Sequence, residues 1–145
     1  HRLTRPWVNH LVACASGLPM STALVASDDT LLLEPMQPQQ ARDILGNLLL
    51  AWKVGMSRPL PIAVKTAFAW LAQSDPAKAE AAAQKAYEGD GQTSNGERRE
   101  SAALARQFPD YAALIATHEF VDWCDALYRP LFDAPWRSLT SEVAR

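Results

Sequence analysis

Residues 22–34 read TALVASDDTLLLE, and this stretch decides the fold class. Residues 22–26 and 31–34 favour extended structure, and the Ser-Asp-Asp-Thr run at 27–30 has the chemistry of a turn. The stretch therefore predicts a β-hairpin. Because Leu31, Leu32 and Leu33 are continuous rather than alternating, we expect the second strand to be covered on both faces. A lone hairpin cannot provide that cover, so further strands are expected upstream.

Helical periodicity flanks this hairpin on both sides. Upstream, Pro6 suits the first turn of a helix that ends before Gly17, and its apolar stripe consists of Trp7, Val8, Leu11, Val12 and Ala15. Downstream of Pro38, a helix of four turns is predicted up to a cap at Gly55. Its stripe consists of Ala41, Ile44, Leu45, Leu48, Leu49 and Trp52.

The second half of the chain is predicted to be helical throughout. A connector rich in proline at 56–61 precedes a helix at 64–71, and Asp75-Pro76 begins a helix that runs to Tyr87. A mobile loop is expected at about 89–97, because the run is polar and contains three glycines. Helices at 97–107 and 110–128 follow, and Pro130 and Pro135 break what remains.

These elements predict a helix-dominated α+β fold with one hairpin and about six helices. The 145 residues suit a single domain, 1–145, and His1 in place of an initiator Met indicates a fragment of a longer protein. Hydrophobic residues make up 48% of the chain and the formal net charge is -2, which argues against wholesale disorder and against a strongly basic DNA-binding module. The two cysteines form no disulfide framework, so a cytoplasmic location is expected.

Candidate catalytic and metal-binding residues are sparse. His10 and Cys14 are four residues apart on a predicted helix, but no third and fourth ligand accompany them, so packing in the core is the better interpretation. The sequence has no G-x-S-x-G elbow and no glycine-rich phosphate loop. The acid pairs Asp28-Asp29 and Asp122/Asp125 are interpreted as turn and surface residues. We therefore expect no catalytic residue, no metal site and no cofactor.

A small basic patch and five tryptophans are further candidates for contacts with nucleic acid or a partner. Arg98, Arg99 and Arg106 lie beside the predicted loop, but Glu97 and Glu100 offset their charge, so a solvated helix end is the preferred interpretation. Most of the tryptophans lie on predicted helix stripes, and all except Trp136 are assigned to the core. The fifth, Trp136, follows Pro135 and is assigned to an interface.

Short blocks in a fixed order along nearly the whole chain resemble one protein family. They are Trp7-Val8-x-His10-Leu11-Val12, Gly55-Met56-Ser57-x-Pro59-Leu60, Ala69-Trp70-Leu71, Ala86-Tyr87-Glu88-Gly89 and Leu131-Phe132. The chain in this respect resembles the C-terminal region of the exodeoxyribonuclease V gamma subunit (RecC, of the RecBCD helicase-nuclease).

The resemblance implies the last part of a domain similar to PD-(D/E)XK nucleases that has lost its catalytic residues. The sequence agrees with this loss, because such nucleases need an acid-x-Lys pair, whereas Glu34 is followed by Pro35 and Met36. It also implies that the strands missing from the lone hairpin belong to the preceding part of the subunit.

The resemblance further implies a scaffold that holds the alpha (RecD) and beta (RecB) subunits in a complex for double-strand break repair. The C-terminal domain is expected to dock the alpha subunit, while Chi recognition is attributed to earlier domains. DNA is expected to meet the whole complex and to bind this part weakly or not at all. No membrane contact is expected.

The expected docking surface lies late in the chain, where apolar side chains and arginines alternate with prolines. Its candidate residues are Tyr128, Arg129, Leu131, Phe132, Trp136 and Arg137. Two alternatives remain open. One is a module that contacts DNA or retains metal-dependent nuclease activity, which requires a basic groove and clustered acids. The other is an unrelated soluble helical domain, against which the ordered family blocks argue.

Overall fold

The computed structural model describes residues 3–25, 29–91 and 95–139. Over these residues the chain forms nine α-helices, one π-helical segment and three short strands. The helix-dominated α+β class is therefore confirmed. The chain divides into two compact units: unit 1 draws on residues 1–49 and 133–145, and unit 2 on residues 50–132.

Unit 1 is built around the predicted hairpin. Strands β1 (Thr22–Val25) and β2 (Thr30–Leu33) pair antiparallel, with Thr22 opposite Leu33 and Val25 opposite Thr30. The hairpin is thus confirmed, although residues 26–28 of its turn lie outside the described residues. Asp29 accepts a hydrogen bond from the Thr30 N–H at 2.7 Å, as expected of an aspartate in a turn.

The second edge of β2 is covered by a strand that the sequence did not predict. Strand β3 (Arg137–Ser138) pairs antiparallel with β2, with Leu32 opposite Arg137, so the sheet order is β1-β2-β3. The Ser138 hydroxyl also donates to the Asp29 carboxylate at 2.8 Å. The partner of β2 thus comes from late in this chain, so the late residues are not only broken helix.

Helix α1 (Thr4–Ala15) has the predicted bounds but buries a different face. Its buried residues are Trp7, His10, Leu11 and Cys14, whereas Val8 and Val12 are exposed. The imidazole of His10 can be buried because its Nδ1 lies 2.9 Å from the Thr22 hydroxyl on β1.

Helix α2 (Pro38–Gly55) also matches the predicted bounds but not the predicted stripe. The side chain of Trp52 is 66% exposed, so its assignment to the core is wrong. The small residue Ala51 takes the buried position instead, and the next residue is turned about 100° away from it around the helix axis. Leu49, at 63% exposed, likewise lies outside the core.

Unit 2 contains helices but no strand within its described residues, and the last residues of α2 belong to it. Its elements are α3 (Val64–Leu71), α4 (Pro76–Glu88), α5 (Gly96–Glu100), α6 (Ala102–Gln107), α7 (Tyr111–Leu114), α8 (Glu119–Trp123), the π-helical segment Cys124–Tyr128 and α9 (Arg129–Phe132). Helices α3 and α4 pack closely, since Ala67, Ala79 and Ala83 are all buried. Aromatic rings complete this core, with Tyr111 next to both Tyr87 and Phe120 at centroid distances of 6.5 Å.

The ends of α4 follow the predicted capping chemistry. The Asp75 carboxylate accepts from the Lys78 N–H at 2.9 Å, and Pro76 occupies the first turn. At the other end Gly89 has a φ of 84°, a conformation that glycine adopts at little cost. The predicted start and stop of this helix are therefore confirmed.

The predicted loop at about 89–97 ends earlier than expected. Residues 92–94 lie outside the described residues, but α5 already begins at Gly96, and Gly96 and Glu97 are both buried. Gly96 has a φ of 69°, and a Cβ at this position would collide with the backbone of Glu88 and Gly89. Only glycine avoids this collision at position 96. The sequence alone had indicated no more than a mobile loop.

The single helix predicted at 110–128 is divided. Helix α7 ends at Leu114, residues 115–118 form a turn, and α8 then continues into the π-helical segment. With the break between α5 and α6 at Ser101, this division raises the number of described helices above the predicted six. None of the described helices is both long and apolar enough to cross a membrane.

Candidate docking surface

The predicted docking residues fall into both units. Tyr128, Arg129, Leu131 and Phe132 belong to unit 2, whereas Trp136 and Arg137 belong to unit 1. Each group is therefore described within its own unit.

Tyr128 and Leu131 are interior residues of unit 2. Their side chains are 8% and 2% exposed, and the Tyr128 ring packs beside Phe68 at a centroid distance of 6.1 Å. Burial raises the pKa of the Tyr128 hydroxyl, which stays protonated at neutral pH. These two residues therefore support the surface from beneath, whereas the sequence analysis placed them on it. The sequence predicted accessible side chains at Tyr128 and Leu131, but the helix directs both into the interior of unit 2.

Phe132 and Arg129 are the accessible members of this group. Phe132 is 38% exposed and its ring lies 5.9 Å from that of Phe68, so one side is anchored and the other is free to contact a partner. The Arg129 guanidinium forms an ion pair with Asp125 at 2.7 Å, one helical turn earlier. This pair orients the guanidinium along the outer side of the helix.

A shallow cleft adds a feature that the sequence analysis missed. It has a volume of about 180 Å³ and is lined by Glu119, Asp122, Trp123 and Ala126. Trp123 was assigned to the core from helical spacing, yet it is only half-buried. Arg58 donates to Glu119 at 2.9 Å, and this bond lowers the pKa of the Glu119 carboxyl. The cleft therefore presents the Asp122 carboxylate, the Glu119 carboxylate paired with Arg58, and one aromatic wall.

The π-helical segment places this cleft and Phe132 on one continuous stretch of chain. The Arg129 N–H bonds to the Cys124 carbonyl, the spacing of five residues that defines a π-turn. Cys124 itself is buried, and burial raises the pKa of its thiol to about 12. We name the accessible residues of this stretch, Asp122, Trp123, Ala126, Arg129 and Phe132, the late-helix surface.

Trp136 and Arg137 lie on the sheet of unit 1. Arg137 pairs with Glu34 at 3.1 Å across β3 and β2, and both side chains are more than half exposed. The Trp136 side chain is half-buried, and its indole N–H is enclosed without a hydrogen-bond partner in the described part of the chain. Arg137 thus helps to hold β3 beside β2, and Trp136 immediately precedes β3.

His10, Cys14 and Glu34, three of the residues weighed for catalysis or metal binding, have structural partners. The His10 Nε2 lies 3.5 Å from the Cys14 sulfur, and the His10 Nδ1 lies against Thr22, so both nitrogens are occupied. Desolvation lowers the pKa of His10. Glu34 pairs with Arg137 at the surface. Within residues 3–25, 29–91 and 95–139, no group of three or more His, Cys, Asp or Glu side chains converges on a possible metal site.

Among the arginines at the end of the predicted loop, Arg98 has a partner within the fold. Arg98 donates to the Pro109 carbonyl, and the two glutamates beside it are used in contacts to α3. Glu97 accepts from the Thr66 N–H and hydroxyl, both at 2.9 Å, and Glu100 accepts from the Lys65 ammonium at 2.7 Å. Glu97 and Glu100 are therefore bonded to α3, and Glu100 neutralises Lys65.

Comparison with known proteins supports the resemblance found in the sequence. A model of the RecC C-terminal domain matches residues 1–75, which is more than half of the chain. A search of curated proteins found no match. The chain belongs to the family of RecC C-terminal domains.

Proposed function

We propose that this chain is a non-catalytic docking domain of a RecBCD-type helicase-nuclease, and that it attaches the alpha subunit (RecD). Membership of the RecC family indicates a component of the exodeoxyribonuclease V complex in DNA repair. The docking role, the choice of the alpha subunit and a cytoplasmic location are parts of the proposal. The beta subunit (RecB) is the second partner that such a complex requires.

The late-helix surface is the observation that carries the proposal. An aromatic ring at Phe132 and an arginine at Arg129 stand on a rigid base formed by the buried Tyr128 and Leu131. Interface hot spots are enriched in aromatic residues and arginine that are held in place by packed neighbours. The mixed charge of this surface, which carries Asp122 and also Arg129 with its neighbouring partner Asp125, suits a protein partner better than a phosphate backbone.

We further propose that the domain is a degenerate relative of PD-(D/E)XK nucleases. Helices beside a small antiparallel sheet, with Glu34 held in an ion pair, are compatible with a fold that has lost its active site. In this proposal, strands from the preceding part of the subunit extend the sheet. An experimental structure of a whole RecC subunit from the same source tests this extension.

Titration calorimetry of the 145-residue chain with the alpha subunit tests the docking role at about physiological salt. We expect binding that Phe132→Ala weakens about tenfold or more, since a truncated hot spot costs more than about 1.4 kcal/mol. Leu49→Ala is the matched control, because Leu49 is exposed and lies outside the late-helix surface. Absence of heat with the alpha subunit, together with submicromolar binding to a DNA end, would support a DNA-contacting module instead.

A further inference from the structure

Helix α2 carries an apolar stripe that is open to solvent. Leu49, Trp52 and Met56 are 63%, 66% and 73% exposed, and Leu45, one turn before Leu49, is half-buried. Met56 follows the last residue of the helix, but its N–H still bonds to the Trp52 carbonyl at 3.0 Å, so it continues the helical turn. We name Leu45, Leu49, Trp52 and Met56 the α2 stripe.

The α2 stripe has the spacing of a helix that packs against another helix. Its residues follow one another at intervals of four, three and four. Because a helix turns by about 100° per residue, all four lie within about 60° of its circumference. Apolar residues that alternate at three and four form the seam along which a second helix packs. Since α2 is one unbroken helix, its own periodicity brings these residues together.

The exposed area of the α2 stripe matches one docked helix. With about two thirds of three large side chains free, the stripe offers on the order of 400 Å² of apolar surface, which is within the range of functional patches. Each partner in a stable complex of two folded proteins contributes about 800 Å². The stripe is about half of that size, so a single helix fits it better than the broad face of a second domain.

Two cations lie along one side of the α2 stripe. Arg42 and Lys53 are both exposed and are 11 residues apart, which places them at nearly the same angle around the helix and about 16 Å apart along its axis. Neither forms an ion pair with another described residue. Arg42 Nε donates to the Ala15 carbonyl at 3.0 Å, a bond that leaves its charge uncompensated. Asp43, the only acid of α2, lies about 100° further around the helix and accepts from Gln39.

These charges distinguish between the possible occupants. In an antiparallel pair of two copies centred on Leu49, Arg42 of each copy would lie within about one turn of Lys53 of the other, and the like charges would repel. A nucleic acid would meet the cations but leave the Trp52 and Met56 side chains in water. An acidic helix with an apolar seam covers the stripe and neutralises both cations.

We propose that the α2 stripe docks an amphipathic helix of a partner protein. The apolar seam of that helix covers Leu49, Trp52 and Met56, and its acidic side chains lie beside Arg42 and Lys53. The site goes beyond the docking of the alpha subunit, because the α2 stripe and the late-helix surface share no residue. The domain thus has a second contact with protein.

Two peptides test the proposal directly. Both are monomeric stapled helices of about five turns with leucine along the seam. One has glutamate and the other lysine at the flanking positions. Each is titrated into the 145-residue chain at about physiological salt, and the Trp52 indole N–H is followed by NMR. We expect saturable shifts at Trp52 and binding of the glutamate peptide about tenfold tighter, since two exposed pairs become repulsive in the lysine peptide. Equal affinities, or no shift at Trp52, would overturn the proposal.

Three variants assign the peptide to the α2 stripe. Trp52→Ala should weaken binding of the glutamate peptide about tenfold or more, as expected of an aromatic anchor. Lys53→Glu should remove most of the preference for glutamate over lysine flanks. Lys85→Glu makes the same change of charge at an exposed lysine of α4 and should leave the preference intact. Equal effects of the two charge reversals would show nonspecific electrostatics and overturn the site.

Sedimentation of the chain alone examines the other occupant, a second copy. We expect a monomer at concentrations up to about those of the titration. A dimer that dissociates on Trp52→Ala would show that the α2 stripe pairs with itself, and the proposal would be wrong.

Leu49→Ala separates this proposal from the docking function. It should weaken binding of the glutamate peptide by more than about fivefold and leave binding of the alpha subunit unchanged, whereas Phe132→Ala should do the reverse. Peptide binding that is lost in Phe132→Ala and retained in Leu49→Ala would overturn the α2 site. Selective peptide binding by a chain that does not bind the alpha subunit would support the α2 site and contradict the docking function.

Discussion

Glu97 caps helix α3 from 31 residues away, because its carboxylate accepts hydrogen bonds from both the N–H and the hydroxyl of Thr66 at 2.9 Å. The N-cap residue of α3 is Ala63, whose side chain cannot accept a hydrogen bond. A third bond, from the Lys65 N–H at 3.1 Å, satisfies another free donor of the first turn. The start of α5 and the start of α3 are thus held together by one buried carboxylate.

Removal of this carboxylate should destabilise the protein strongly. We expect Glu97→Ala to lower the free energy of unfolding by about 2–4 kcal/mol, because it leaves buried donors without partners. Glu100→Ala is the matched control: it removes the exposed pair with Lys65 and should cost less than about 1 kcal/mol. Urea unfolding measures both values, and equal losses for the two variants would contradict the capping role.

The two buried tyrosines should respond in opposite ways to loss of the hydroxyl. Tyr111→Phe removes an unsatisfied group and should leave stability unchanged or raise it by about 1 kcal/mol. Tyr87→Phe removes the bond to the Phe108 carbonyl and should cost about 1–2 kcal/mol. Thermal unfolding distinguishes the two. Destabilisation by Tyr111→Phe would mean that its hydroxyl has a partner within the chain.

Replacement of Trp7 or Trp52 by alanine should change the free energy of unfolding by very different amounts. Trp7 is 2% exposed, so Trp7→Ala should cost about 3–5 kcal/mol through the cavity that it leaves. Trp52 is 66% exposed, so Trp52→Ala should change stability by less than about 1 kcal/mol. A large loss with Trp52→Ala in urea unfolding would restore the face of α2 that the sequence predicted.

Burial of His10 makes stability depend on pH. Desolvation lowers the pKa of His10 below its ordinary value of 6.5, so the unfolded chain binds a proton more readily than the folded chain. The stabilisation is complete above that value and is lost as the pH falls below it. Tm should therefore fall between about pH 7.5 and about pH 5.5. His10→Gln should reduce this dependence, whereas the exposed His118→Gln should retain it; equal profiles for all three proteins would contradict the role of His10.

The isolated chain should not cleave linear DNA in the presence of Mg²⁺ or Mn²⁺, with or without ATP. The sequence lacks the acid-x-Lys pair and the phosphate loop that such chemistry requires, and Asp29 is engaged by the Thr30 N–H and the Ser138 hydroxyl. A gel assay of the purified chain checks this. Metal-dependent cleavage that disappears in Asp28→Ala and Asp29→Ala variants would contradict it.

Helix caps could be predicted from the sequence. The buried face of a helix could be predicted only in part. Asp75-Pro76 and Gly89 act within a single turn of chain, so their capping roles do not depend on distant residues. The choice between Ala51 and Trp52 as the buried residue of α2 depends on tertiary packing. Apolar periodicity identified the helix but was too broad to select its inner face.

Contacts between residues that are distant in the chain could not be predicted, because they too depend on tertiary packing. The two-residue strand β3 carries no propensity signal, since its pairing depends on β2. The burial of Tyr128 and Leu131, and the meeting of Trp70, Glu80 and Tyr111 at one cleft, arise from three-dimensional packing. No sequence pattern predicts that Glu80 and Tyr111 line the same cleft, and only the structure shows it.

The pairing of β3 with β2 has a consequence for synthesis on the ribosome. The ion pair between Arg137 on β3 and Glu34, the residue after β2, joins residues 103 positions apart, so β2 has no β3 neighbour on this edge until Arg137 has emerged. During that interval the backbone groups on this edge, which include the Thr30 carbonyl that later accepts from the Leu139 N–H at 2.8 Å, are open to pairing with another nascent chain. Chains truncated before Arg137 would keep that edge open and should aggregate.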